Sequence, residues 1–354
     1  MGQQCPTHFC MRKAIYTKPP SWDQHSINAG IEKIRPLHWE QFEIPDDVDT
    51  VYHSDVVGHI TQDGTNHYLQ RLQEIGRPLR LYSHYVFNDT VRQRYPNIDF
   101  RIDLHSPYRS MKYNENLLRS QNIPTHKSWE TFAMTLVGSD RECRQFLTAA
   151  MHKWGWFDPA TSTKNFRYTA QGLDGNIMRF TQDLPEQDRV LRKFIMTDND
   201  PAAEEFYQTI FTDRYRDPGD HCELIKSASL RINRAFMQLV AEVQTLSYHP
   251  VVGEKSMFPI VCKAIWASYA SWQFHHHLES VWGFRLFRKL FDYNFDLEPH
   301  PVKRLLALMS MISRYSHLTA HEWHDLYLLE QDTIEHNYDW YYSRDWLRQL
   351  EIHA

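Results

Sequence analysis

Glycine is scarce in this 354-residue chain, at 12 residues. That disfavours phosphate cradles built from glycine loops and leaves helix ends, together with Lys or Arg side chains, as the available means of holding an anion. No GxSxG elbow, Walker loop, GxGxxG turn or Cys-His pair within a surrounding motif occurs, so the common hydrolase, P-loop and dinucleotide signatures are absent. Cysteine is sparse and odd in number: Cys5, Cys10, Cys143, Cys222 and Cys262 are scattered, which fits free thiols in a reducing compartment better than a disulfide framework. Cys5 and Cys10 flank His8 like half of a zinc site, but no second ligand pair follows at finger spacing. Long apolar runs are missing too. The stretch LLALMSMI from Leu305 is far short of a membrane span, and the opening MGQQCPTHFCMRK has no apolar core behind its basic residues. The expectation is a cytoplasmic protein with neither leader nor membrane anchor. Excess positive charge is also lacking: a net charge of -5 argues against indiscriminate coating of nucleic acid and leaves a local basic cleft open.

What is present is a globular composition, 42% hydrophobic and 14% aromatic, in a chain long enough for two cores. Residues 1–30 mix Pro, Gln, Lys and Ser without periodicity and are expected as an irregular arm. Strands and amphipathic helices then alternate. DTVYHSDVV around Val51 and LRLYSHYVF from Leu79 read as strands, TNHYLQRLQEIG between them as a helix ending at Gly76, and IDFRIDL follows another short helical stretch. A second start lies near Lys127, with WETFAMTLVG as a strand and SDRECRQFLTAAMHKWG as a helix running to Gly155. After a polar stretch come the strand RAFMQLVAEV, the helix EKSMFPIVCKA, the short strand IWASY and the helix HHHLESVWGF, and from Pro299 the pattern is nearly all helical. Alternation at this spacing predicts parallel βαβ units. The expected architecture is α/β: two Rossmann-like domains facing a cleft, over residues 31–126 and 127–316, with C-terminal helices over 317–354 that pack back across it. Ligands of such sheets bind beyond the carboxyl ends of the strands.

The densest signal is AFMQLVAEVQTLSYHPVVGEKSMFPIVCKAIW, from Ala235 to Trp266. It places Glu242 at a strand end and the pair Glu254-Lys255 at a helix start, where backbone N–H groups and the macrodipole favour a phosphate. Lys255 adds a point charge for a diphosphate, and Glu254 can accept two hydrogen bonds from a ribose diol. The order "E, loop, EK, apolar helix, short strand" resembles the donor site of fucosyltransferase-type GT-B glycosyltransferases and of the phage-encoded glycosyltransferases related to them. Within GFRLFRKLFDYNFD, Gly283-Phe284, Phe287, Asp292 and Asp296 match a "GF, F, D, D" run of the phage-type group, and Arg304 stands where they have an Arg. Upstream, FAMTLVGSDRECRQFL matches the strand, turn and Arg-bearing helix that open the donor domain, with Arg141 and Arg144 on the matching positions. Where these enzymes carry Thr or Ser before the Glu-Lys pair, this chain has Gly253.

The resemblance implies a glycosyltransferase that moves a sugar from a nucleotide sugar, a UDP- or GDP-sugar, to an acceptor hydroxyl, with no cofactor or metal required. Glu254, Lys255, Arg144, Arg141 and Glu242 would bind the donor, and Asp292, Asp296 and Arg304 are further site candidates; Asp292 and Asp296 also read as turn or cap residues. An inverting transfer needs a base, for which Asp63 and Asp103 lie at the right places in the first domain. Basic and aromatic residues interleave between Arg101 and Arg167, a mixture suited to nucleic acid. With the phage resemblance this implies hydroxymethylated pyrimidine in phage DNA as an acceptor, in a host cytoplasm; a glycan is the competing acceptor. Asp198-Asn199-Asp200 has the DxD form of a metal-binding glycosyltransferase and equally that of a helix-entry turn. His275, His276, His277, His321, His324 and His336 leave a His-rich metal enzyme as a rival class, although three consecutive histidines face different sides of a helix. A non-catalytic nucleotide- or glycan-binding module is the other rival.

Overall fold

A computed structural model of the protein describes residues 13–16, 34–36, 48–53, 64–83, 87–102, 123–137, 142–158, 161–164, 228–242 and 252–343, with Ile44, Asp46, Thr245, Pro250, Asp345 and Trp346. The chain divides into two compact units, Met1–Ser106 with Ala354, and Pro107–His353. Both are α/β with parallel strands. Among the described residues no helix is long and apolar enough to cross a membrane.

The first unit is a five-stranded sheet made from β1 (Lys13–Tyr16), β2 (Ile34–Pro36), β3 (Val48–His53), β4 (Leu79–Ser83) and β5 (Ile98–Ile102), in the order β2-β1-β3-β4-β5 with every pair parallel. The arm expected to be irregular over residues 1–30 thus contributes a strand, β1, which sits between β2 and β3. β4 buries Leu79, Leu81 and Ser83 on alternate positions, and Leu81 lies in register with Val51 on one side and Phe100 on the other. Two helices fill the crossovers, α1 (His67–Glu74) and α2 (Asp89–Arg94). Their N-caps, Asn66 and Asn88, each accept from the N–H three residues on, at 3.0 and 3.1 Å. The Tyr95 hydroxyl accepts the N–H of Asn66 and donates to its carbonyl, which fastens the start of α1 to the end of α2. Gly76, at φ +75°, closes α1 where the sequence places its end.

In the second unit β6 (Thr131–Met134), β9 (Ala235–Ala241) and β10 (Ile265–Tyr269) form a parallel sheet in the order β10-β9-β6, and β7 (Leu136–Val137) pairs with β8 (Thr163–Lys164). β9 is buried at every position, as an apolar run in a central parallel strand should be. The helices are α3 (Glu142–Lys153), α4 (Glu254–Val261), α5 (Phe274–Ser280), α6 (Pro301–Ser313), α7 (Ala320–Leu329) and α8 (Gln331–Ser343), with a 3₁₀ turn at Tyr293–Leu297. α7 opens with a capping box of Thr319 and Glu322, and α6 with a proline in its first turn. Of the helices expected over 317–354, α7 packs on this unit's own sheet, with Trp323 stacked on Phe236 at 5.8 Å, and α8 lies against α4. Phe132, Phe236 and Trp323, with Trp129 and Trp156 at the margin, make one aromatic layer over β6 and β9.

Lys127, just before β6, donates to Asn233 Oδ1 at 2.6 Å and to the carbonyl of Cys262 at 2.7 Å. Burial lowers its pKa from 10.5 to about 8. The unfolded chain therefore holds an extra proton between those two values, and this amine makes stability rise with pH across that window. Burial also pushes the Cys262 thiol up from 9.0 to about 12, which works in the opposite direction above about pH 9. Comparison with Lys127→Met isolates the amine. Between about pH 8 and pH 9, urea unfolding should show the wild type gaining about 1 kcal/mol on the variant.

Candidate functional site

β9 ends at Ala241, so Glu242 stands at the carboxyl edge of the sheet, where its N–H prolongs the pairing by donating to Tyr269 O at 3.0 Å. Its side chain is buried, and its carboxylate accepts the N–H of Gly253 at 3.2 Å and the hydroxyl of Ser256. Gly253 is the N-cap of α4 and Ser256 its third residue. In a capping box those two positions satisfy each other; here a carboxylate from the neighbouring strand takes both, with the helix dipole in its favour. Gly253 brings no side-chain acceptor of its own, and a Cβ there would lie 2.6 Å from Glu242 Oε2. Glu242 thus fills the space that a side chain at position 253 would need.

Glu254 and Lys255 open α4, as the sequence predicts, and Lys255 is half-buried. The side chain of Glu254 lies outside the described residues, as do Asp63, Asp103, Arg141 and the Asp198-Asn199-Asp200 triplet. Arg144 is on a different element, in the first turn of α3, with its side chain buried.

A second carboxylate plays a matching part at the next helix. Asp296 accepts the N–H groups of His275 and His276 at 2.8 and 3.3 Å, and so holds the start of α5. Its other oxygen lies 3.0 Å from His275 Nδ1, while His275 Nε2 accepts the N–H of Ser268 on β10 at 3.1 Å. Because a backbone amide can only donate, Nε2 is the acceptor and the proton is on Nδ1, pointing at Asp296. Gln273, which precedes α5, takes φ +58°, a left-handed conformation uncommon for a residue with a side chain.

The remaining candidates also have partners within the fold. Arg304 is buried and donates to the carbonyls of Ala270 at 3.1 Å, Glu298 at 2.6 Å, Pro299 at 3.2 Å and Thr245 at 2.5 Å, clasping the segments that follow β9 and β10. Asp292 is exposed and caps the 3₁₀ turn through the N–H of Asn294. Phe284 and Phe287, from the matched aromatic run, are core residues. Glu330 was not foreseen: fully buried between α7 and α8, it accepts the N–H groups of Lys289 and Leu290 at 2.8 and 3.2 Å and the Thr333 hydroxyl at 2.7 Å. A glutamate between two helical patterns carries no sequence signal for such a role.

The basic and aromatic set between Arg101 and Arg167 is only partly described, and several of its described members have partners within the fold. Arg101 bonds Asp99, Lys127 is held by Asn233, and Trp129 and Trp156 pack in the aromatic layer. The histidines are dispersed likewise: His324 packs on Trp129 and His336 stacks on Trp340. Among the described residues no group of three or more His, Cys, Asp or Glu side chains is placed to hold a metal ion. No protein-family profile, no curated protein and no solved structure matches the chain.

Two substitutions check this reading of the edge. Gly253→Ala should lower stability by about 1–3 kcal/mol through overpacking, and most of that loss should vanish in a Glu242→Ala background, where the clashing carboxylate is gone. Arg304→Met should reduce stability by at least about 3 kcal/mol, because it strips donors from buried carbonyls; both effects are read from denaturant midpoints.

Proposed function

We propose that the second unit is the donor half of a nucleotide-sugar-dependent glycosyltransferase, with the nucleotide diphosphate at the start of α4. The observation that carries the reading is the contact of Glu242 with Gly253, which brings the end of β9 and the start of α4 together so that Glu254-Lys255 opens a helix at the carboxyl edge of a parallel sheet. A nucleoside diphosphate offers what this edge can take. Its phosphates suit the first-turn amides of α4 beyond the Gly253 N–H that Glu242 takes, together with the Lys255 ammonium, and its ribose diol suits the carboxylate of Glu254. Glu242 is engaged by Gly253 and Ser256, so its part is to fix α4 in place rather than to meet the donor. As the glycosidic bond to the diphosphate breaks, negative charge grows on the leaving group; the Lys255 ammonium and the first-turn amides of α4 would stabilise that charge. Arg141 and Arg144 would add to it. In the full GT-B reading the first unit takes the acceptor and supplies the base, Asp63 or Asp103.

Calorimetric titration with UDP, GDP and their sugar derivatives tests this. The wild type should bind one nucleotide series, and Lys255→Ala should weaken that binding about tenfold or more while leaving the melting temperature of the free protein unchanged, since one charge-assisted contact contributes about 1.5–3 kcal/mol. A wild type that binds neither series rejects the reading.

A further inference from the structure

Glu242 and Asp296 are joined through Ser256, Ser268 and His275. The Ser256 hydroxyl donates its one proton to Glu242, so the Ser268 hydroxyl, 3.3 Å from Ser256 Oγ, is the donor in that contact. The Ser268 amide donates to His275 Nε2, and His275 Nδ1 donates to Asp296. Glu242, Ser256, Ser268, His275 and Asp296 are each at most 1% exposed. Two buried carboxylates, each holding a helix start, are thus the two ends of one hydrogen-bonded chain whose middle lies on β10. We infer that His275 is a positioning residue for α4: by accepting the Ser268 amide it sets where the Ser268 hydroxyl sits, and through Ser256 and Glu242 it fixes the Gly253 amide and the first turn that follows.

The inference rests on the reading of α4 as the nucleotide site only for its ligand arm; the mechanical claim stands apart from it. The two nitrogens of His275 can be replaced one at a time. Gln places a carbonyl oxygen near the position of Nε2 and keeps the acceptor for Ser268, whereas Asn places an amide N–H near the position of Nδ1 and keeps only the donor to Asp296. If His275 acts on α4 through Ser268, amide exchange followed by NMR should be about tenfold faster at Gly253 in His275→Asn and near the wild-type rate in His275→Gln. If His275 serves only to secure Asp296 and α5, the order reverses or both variants behave alike, and the inference is overturned. Ser268→Ala, which removes only the hydroxyl link, gives an independent decision should either histidine variant fail to fold. It should speed exchange at Gly253 by about tenfold while the amides of His275 and His276 keep their protection, and an unchanged rate at Gly253 sinks the idea. UDP or GDP affinity should follow the same order as the exchange rates. A wild type that binds neither nucleotide removes the nucleotide reading alone, because the exchange rates still decide the positioning role.

Discussion

A carboxylate taken out of water must be met by donors, and much of the second unit's architecture follows from how three of them are met. Glu242, Asp296 and Glu330 are buried, and each accepts at least one backbone N–H. Backbone amides at helix starts and in tight loops have no partner within their own element, so a buried acid and an orphaned amide solve each other's problem. Glu242 does this for α4, Asp296 for α5 and Glu330 for the segment at Lys289 and Leu290. These contacts tie the starts of α4 and α5 and the Lys289–Leu290 segment to buried side chains of the second unit.

Strain and packing agree with those ties. The two described non-glycine residues with positive φ, Lys263 and Gln273, bracket β10: one ends α4, the other precedes α5. Each is over-determined by its neighbours. Lys263 pairs with Glu335 and lies 4.4 Å from the Tyr338 ring centre, and the Gln273 N–H is held by Asp296 O at 2.9 Å. Backbone strain of about 1–3 kcal/mol persists only where surroundings insist on it, and here it flanks the strand that carries Ser268.

How far the sequence could be read depended on whether a residue's role left a periodic mark. β9 and β10 were legible because uninterrupted apolar runs bounded by polar loops belong to central parallel strands, and α4 because it follows such a run at crossover distance. β1 was hidden: KAIY is four residues long in an unpatterned arm, and only pairing with β2 and β3 defines it. Among the candidate residues, Glu242, Asp296 and Arg304 could be picked out by position, but whom they bond could not, because most of their partners are amides and carbonyls distant in sequence. Ser268 left no mark at all. A serine inside IWASY fits a buried strand as well as an alanine does, and its two donors matter only beside α4 and α5. The histidine run was readable as far as its geometry: three successive side chains cannot share a face, and His275 is the buried one.

The clasp made by Arg304 bears on the order in which the chain can be completed during synthesis. Thr245 and Ala270, whose carbonyls it holds, precede it by 59 and 34 residues. When β9 and β10 leave the ribosome, the residue that ties down their carboxyl edge has not yet emerged, and Trp323, which covers the aromatic layer, comes later still. The sheet can form early, but its carboxyl rim is finished only by the C-terminal segment, so a nascent or prematurely terminated chain presents strands without a rim.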